Sequence, residues 1–508
     1  DGDIDDLDKA NWIDWVDFPI DEGFKHYRDF YGVGPYNPYT YNRDHWHADD
    51  KITTTVKLDF VTQYDQHNKV STGLEYKGYD LFNHDPPDRY GYAESYQVTP
   101  YDFSLYLNDK MEFPGLIMNI GLRWERFDPN QDYPGDVTDP TWTSDDFGDW
   151  DGNGTSEYYD EAKVGSYIHE LRDLKNPQSA GTEMRFAPRL GVSHPITERD
   201  MLYFNYGRYY QRPRLDYLFR NITYNMGGGF PIVGDPNLEP ELTTSYEVGV
   251  RHEFQNKMMV EAKGFYKDIF GLTDTKAIYW TVSDWYTTYF NADYGSVRGF
   301  ELSLIRRPPS MFYGELNYTY SIAKGKASAA GQGYSTEWSG NIIPTFESFL
   351  DWDQTHTFAG NINMKYQGFL ASMVITAGSG TRYTLPGQGR LIVENEGVMP
   401  STSTTDLRLS YRYDIGKTNT QVFMLVTNLF DRVNINTVAD TEWYHTYRTL
   451  AEVYEAGDLT FEEYLAQTDS NNDGEVDYNK SHPEMGSDLN PVVYGDTRRY
   501  QIGISFGF

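Results

Sequence analysis

Cysteine is absent from the 508 residues, so neither a disulfide framework nor thiolate chemistry is available to the chain. Long apolar runs are absent too: none approaches the ~18 residues that would mark a membrane-spanning helix. Basic residues are few, with 43 Lys and Arg against 76 Asp and Glu and a formal net charge of −33. That balance argues against nucleic acid or an anionic surface as a direct partner and leaves room for cations, or simply for solvated acidic loops. No Pro- or Ser-rich linker, low-complexity tract or repeat of fixed period divides the chain. One architecture is therefore expected throughout. No Ser-His-Asp, HExxH, Walker or dinucleotide signature stands in a credible context, so the chain is not read as an enzyme. No signal peptide opens it and it begins with Asp1 rather than Met; the start is expected to be processed or to belong to a longer protein.

What is abundant is aromatic. Rings make up 16% of the residues, 44 of them Tyr, and such rings suit an interface because they tolerate water at one edge. They sit in segments that alternate with a period of two. Val56, Leu58 and Phe60 alternate with Lys57 and Asp59, and after Asp65 to Asn68 come Val70, Leu74 and Tyr76 against Ser71, Glu75 and Lys77. This is a hairpin with a tight turn. Phe103, Leu105 and Leu107, then Leu116, Met118, Ile120, Leu122 and Trp124, repeat the pattern against Ser104, Asn108, Asn119, Arg123 and Glu125. Further turns fall near Thr197, Asn256, Pro308, Gly368 and Lys417, and the chain ends on an alternating strand with Tyr500, Ile502, Ile504, Phe506 and Phe508 on one face.

The spacing predicts seven hairpins plus this last strand, about fifteen strands of about ten residues, the length a tilted strand needs to cross a bilayer. Long polar connections at 128–184, 211–242, 271–293, 323–354, 378–403 and 429–497 alternate with the short turns, which puts all of them on one side. Strands of a soluble sandwich are shorter, and propellers repeat at a regular period. In a bilayer, where every backbone group must be paired, strands span only as a closed barrel. The fold class is thus all-β, a transmembrane antiparallel β-barrel.

Several segments resemble the barrel of TonB-dependent outer-membrane receptors: "FAPRLGVSHPITERDMLYFNYGRYYQRP", "DPNLEPELTTSYEVGVRHEF", "NADYGSVRGFELSL", "LDWDQTHTF", "SGTRYT", "TDLRLSYRYDIG" and "VTNLFDRVN", in that order over about residues 50–508. Asn428, Leu429, Phe430 and Asp431 form the most family-like tetrapeptide. The resemblance implies an outer-membrane location, short periplasmic turns, long extracellular loops, a 22-stranded barrel of which this chain supplies about fifteen strands, and a terminal Phe508 read by the assembly machinery. It further implies an N-terminal plug with a TonB box. Plug and first strands are missing from the chain and are expected from the same gene or a separate chain. Residues 1–50 are then an extracellular loop region and 51–508 the C-terminal barrel portion, with its largest loops at 128–184 and 429–497.

The implied activity is import of a scarce nutrient, of siderophore, glycan or peptide class, through the plugged barrel with TonB acting on the plug and a surface lipoprotein as a further partner. A passive porin and a surface assembly or adhesion platform are the alternatives. Inward Lys57, Asp59, Glu75, Arg123, Glu125, Glu247, Arg251, Glu261 and Glu301 would form the polar wall, or hold the plug.

Two loops have calcium-type spacing. Asp149, Asp151, Asn153, Thr155, Glu157 and Asp160, with Gly154 at the sharp turn, occupy the ligand positions of an EF-hand-like loop, although Asp at the last position is shorter than the usual Glu. Asp469, Asn471, Asp473, Glu475 and Asp477 follow the same spacing behind a short predicted helix at "TFEEYLAQ", with Lys480 at the last ligand position. Structural Ca²⁺ is the expected cofactor; solvated acidic loops are the alternative. Trp142, Trp280, Trp285, Tyr286, Trp338 and Trp443 offer flat faces for a ligand, or else belong to a girdle or loop core.

Overall fold

A computed structural model describes residues 48–85, 94–135, 177–220, 232–255, 257–279, 285–334, 346–384, 394–415, 418–438, 460, 492–494 and 497–507. Fifteen long strands dominate it: β1 Ala48–Gln63, β2 Asn68–Asp85, β3 Tyr101–Phe113, β4 Leu116–Asp128, β5 Glu183–Pro195, β6 Asp200–Gln211, β7 Glu241–Glu253, β8 Met258–Tyr279, β9 Trp285–Arg306, β10 Phe312–Gly325, β11 His356–Tyr366, β12 Phe369–Gly378, β13 Thr402–Ile415, β14 Thr418–Thr427 and β15 Arg499–Gly507. Each pairs antiparallel with the next, so one meandering sheet runs from β1 to β15. Among the described residues β1 and β15 are not paired with each other, and the sheet stands open.

The turns are short where the alternation predicts them. After β1, Asp65 Oδ1 accepts from the backbone N–H of His67 at 2.7 Å and of Asn68 at 2.8 Å. Those bonds, with the Asn68 amide, hold the Asp65 carboxyl below the usual carboxylate range. Between β11 and β12 only Gln367 and Gly368 turn the chain, both at positive φ, 44° and 86°, as a mirror-type two-residue hairpin requires. A Cβ on Gly368 would lie 2.6 Å from the Arg412 carbonyl.

The apolar rows are not sandwiched between sheets: Leu58 and Phe60 are each 62% exposed and Ile502 74%. They form the outer face that lipid covers. Aromatic contacts run along it from Tyr206 to Tyr246 to Tyr266, with ring centroids 5.3 and 6.5 Å apart. Farther round, Phe300 stacks on Tyr320 at 5.5 Å, and Tyr320 meets the His356 ring at a tilt, centroids 5.3 Å apart. This is the girdle expected where hydrocarbon meets headgroups.

One expectation is corrected. The polar stretch 271–293 is not a loop: β8 continues to Tyr279 and β9 starts at Trp285, paired through a bulge at Phe270 to Thr273. Thr and Tyr are among the commonest residues of this stretch, and such side chains keep a ribbon extended after it leaves the bilayer. Inside the outer mouth, a five-residue helix, α1 (Leu215–Phe219), buries Leu218 and Phe219 against Leu81, Val98, Phe127, Leu238 and Tyr289.

Candidate functional site

The face opposite the lipid rows is polar, and its charges answer one another. Lys57 pairs with Asp59 at 3.2 Å and Lys77 with Glu75 at 2.5 Å, each two residues apart on one strand and therefore on one face. Arg123 pairs with Glu125 in the same way and also donates to Ser104 Oγ at 2.8 Å. Across strands, Arg251 donates twice to Glu261 Oε2, at 2.9 and 2.7 Å, and Lys263 meets Glu301 at 2.9 Å. Glu247 stands on β7 between Asn205 and Phe265. The expected wall is thus assembled, and it largely neutralises itself.

Sequence reasoning missed what holds these groups in place. Tyr106 lies across Gly73 and donates to Asp59 Oδ1 at 2.6 Å; Tyr203 lies across Gly249 and donates to Glu261. A Cβ on Gly73 would fall 2.6 Å from the Tyr106 ring and one on Gly249 2.4 Å from the Tyr203 ring. The glycines create the floor on which the rings lie flat. A glycine on the polar face of a strand, with tyrosine on its neighbour, is the signal that could have revealed them.

Near the outer mouth the wall opens into a notch of about 200 Å³ lined by Lys77, Asp102, Arg123, Glu183 and Arg185 among others. That volume is below the ~300–1,000 Å³ of sites that enclose small molecules. Arg212 reaches into it from the loop after β6, donating to Asp102 and to Tyr79 Oη, with its guanidinium 4.7 Å from the centre of the Phe127 ring. It ties the α1 loop to β2 and β3.

The other family-like segments are similarly tied together at the rim. Asp353 of "LDWDQTHTF" is fully buried; it accepts from the Ala323 N–H at 2.7 Å and pairs with Arg382 of "SGTRYT" at 3.0 Å. Arg382 also lies 3.7 Å above the Phe349 ring. Asn237 of "DPNLEPE" accepts from the Gly181 N–H at 3.0 Å, while Asn291 of "NADYG" accepts from the Glu239 N–H at 2.8 Å and donates back to its carbonyl at 2.8 Å. In the Asn428–Asp431 tetrapeptide, the Asn428 N–H donates to Asp406 at 2.9 Å and Asp431 accepts from the Arg498 N–H at 3.0 Å. These motifs pin the loop bases to the strands.

Of the ligand-facing aromatics, Trp285 is half-buried with its ring centroid 6.0 Å from that of Tyr279, and Tyr286 is 1% exposed, packed within the outer hairpin. Trp142, Trp280, Trp338 and Trp443 lie outside the described residues, as do the acidic loops Asp149–Asp160 and Asp469–Asp477 and the helix predicted before the second.

A meandering sheet of long strands, lipid rows outside, a polar wall inside and long loops pinned at one rim define an outer-membrane β-barrel. The family model "TonB dependent receptor-like, beta-barrel" matches residues 5–429, and the chain belongs to that family. Among solved structures, the chain is similar to the outer membrane transporter YddB from Escherichia coli, at 14% identity and a TM-score of 0.55, covering 78% of this chain and 52% of that one. It is also similar to the copper transporter OprC, at 12% identity and a TM-score of 0.50, covering 90% of this chain and 56% of that one. At these identities the likeness is one of fold, and the chain spans about half the length of the structures it matches. No curated protein sequence matches it.

Proposed function

We propose that this chain is the barrel of a receptor that binds a scarce nutrient among its outer loops and admits it through a gated lumen, with TonB supplying the pull on a plug. The observation that carries this reading is the inner wall. Paired carboxylates and cations, braced by tyrosines over glycines, make a surface suited to water or a polar stopper, on a barrel of a family named for TonB. Because the wall's charges largely answer one another, selectivity falls to the outer end, where Trp285 at the tip of the β8–β9 ribbon and Trp142, Trp280, Trp338 and Trp443 are the proposed contacts. Calcium in Asp149–Asp160 and Asp469–Asp477 is part of the same proposal: hard oxygen ligands at EF-hand spacing would order loops of that length.

The test uses the intact protein in cells. Uptake of labelled siderophore, glycan and peptide pools is measured before and after collapse of the inner-membrane proton gradient, alongside the conductance of purified protein in planar bilayers. Energy-dependent uptake with a closed channel supports import. Energy-independent uptake with an open channel identifies a porin and overturns the reading. Surface attachment without uptake identifies a platform and does the same.

A further inference from the structure

The charges of the inner wall are unevenly spread. Its ion pairs stand on β1 to β4 and on β7 to β9, and β11 and β12 carry none among the described residues. Thr357 and Gly378 share a register row with Thr319 and Glu301, so their side of the sheet is the lumenal one. From the outer end inward, that side presents Thr357, Ala359, Asn361 and Asn363 on β11, with Ala359 opposite Thr376, Asn361 opposite Val374 and Asn363 opposite Ser372. No charge interrupts this column until Lys365 at its inner end. It runs about 20 Å along the strands. Ala359, Asn361, Val374 and Thr376 are exposed to the lumen. Ser372 Oγ donates to Asn363 Oδ1 at 2.6 Å and Asn363 Nδ2 to Asn361 Oδ1 at 2.8 Å, a relay that ends at Asn361 Nδ2, which has no acceptor among the described residues.

At the outer mouth the column opens into a cavity of about 270 Å³ lined by Gln354, Ser379, Thr381, Met399 and Thr402 among others, none of them charged. Thr402 stands opposite Gly378, and Gln354 lies over that glycine while donating to the Ser379 carbonyl at 2.7 Å. Cavity and column are therefore continuous. Charges flank the column without entering it. Glu315 on β10 stands opposite Asn361, and Asp406 on β13 opposite Val374, with Arg408 opposite Ser372. Each is engaged elsewhere: Glu315 accepts from Asn317 Nδ2 at 2.8 Å, Asp406 from the Asn428 N–H at 2.9 Å, and Arg408 lies 5.0 Å over the Phe423 ring. A polar stopper that meets the charged strands gains charge-assisted hydrogen bonds, whereas on this column it gains only neutral ones, net about 0.5–1.5 kcal/mol each. The neutral sector lets go first. It also suits a moving cargo, which exchanges weak, similar contacts at every step, while an ion would shed water there without a counter-charge. An anion meets the two flanking carboxylates as well.

We infer that the lumenal column of β11 and β12, entered through the cavity at Gln354, is the passage that opens when the stopper moves, and that it admits uncharged polar cargo and bars anions. This rests on the import reading above and adds where in the lumen the passage lies and which charge it refuses; choice among uncharged cargoes stays with the outer end. The test uses the intact protein in cells. None of these 508 residues is a cysteine, so single cysteines are placed on the column, A359C and T376C, and at exposed lumenal positions of the charged strands, T55C and N205C. A neutral, membrane-impermeant maleimide is added outside, before and after collapse of the inner-membrane proton gradient. A359C and T376C are modified about tenfold faster in energised cells, as the open lumen is populated, while T55C and N205C stay slow in both. A sulfonated maleimide of similar size is slowed at the column sites, and E315Q lessens that difference. Heat-modifiability on gels reports whether each barrel is folded, and N361C replaces either column variant that is not. Equal acceleration at all sites, or acceleration at T55C and N205C alone, overturns the inference and leaves import standing. Equal rates for the two reagents on the column overturn the bar to anions. Rates independent of the gradient at every site overturn the import reading, and the inference with it.

Discussion

At the scale of single residues, the inner wall depends on where side chains are missing. Tyr203 reaches Glu261 only because Gly249 leaves room beneath its ring. Gly249→Ala is expected to push the ring away and destabilise the barrel by about 1–3 kcal/mol, the usual cost of overpacking. Tyr203→Ala removes the clash, so adding Gly249→Ala to that variant should cost little or gain slightly, alanine being the better strand former. The four heat-modifiability midpoints check this; additive losses would mean that the ring and the glycine act independently. Asp353 is a different case, a fully buried carboxylate whose partner Arg382 is 14% exposed. Asp353→Ala leaves that guanidinium without its counter-ion and the Ala323 N–H without its acceptor, a loss of about 3–5 kcal/mol by analogy with other buried pairs. The loss should appear as faster proteolysis of the loop between β12 and β13, with turns at the opposite rim unaffected.

At the scale of elements, loops are tied to one another by groups whose protonation matters. Burial pushes the Glu394 carboxyl up, the charge of Asp274 pushes the same way, and the Gln332 amide opposes both. Gln332 Nε2 donates to it at 2.7 Å, joining the loop after β10 to the turn before β13. A raised folded-state value means that the stabilisation is complete below the ordinary carboxylate value, about 4.3, and is lost as pH rises through the raised one. Hydrogen exchange at Met399, whose N–H donates to the Thr381 carbonyl at 2.9 Å, should therefore slow as pH falls, after correction for intrinsic rates. Glu394→Gln should flatten that dependence. If calcium orders the last large loop, Asp473→Ala or a chelator should speed its cleavage, and equal cleavage with and without chelator would remove the metal from the proposal. The elements themselves were largely legible in the sequence, because lipid on one face and water on the other force a strict alternation: the hairpins, their turns and the inward charges all read directly. The paired extension of 271–293 did not, since outside the bilayer the polar alternation that marks a loop also suits a ribbon with both faces wet. Nor did the rim anchors, because Asp353 and Arg382, or Asn237 and Gly181, are joined only through the folded register, and a linear reading shows each motif without its partner.

At the scale of the whole molecule, the two ends of the sheet set a constraint that no single strand reveals. Fourteen antiparallel pairings separate β1 from β15, so these strands run in the same direction. Each presents one unpaired backbone edge, and a bilayer cannot leave such an edge bare, because every orphaned N–H and C=O there costs several kcal/mol. Closure of β1 directly on β15 would need a parallel seam; antiparallel closure needs an odd number of further strands between them. The even strand counts of bacterial single-chain barrels favour the second arrangement. The choice is measurable with cysteine pairs, because none of these 508 residues is a cysteine and an engineered pair meets no native thiol among them. Thr55 and Lys77 are register partners on β1 and β2, so T55C/K77C should form a disulfide on mild oxidation of the protein in its native membrane. Thr55→Cys combined in turn with cysteines at residues 501 to 506 of β15 should form none, because intervening strands hold the two edges well beyond the ~7 Å between Cα atoms that a disulfide tolerates. A bridge at any of those positions, with the T55C/K77C control also bridged, would show that the fifteen strands close on themselves through a parallel seam and that no further strand enters the barrel.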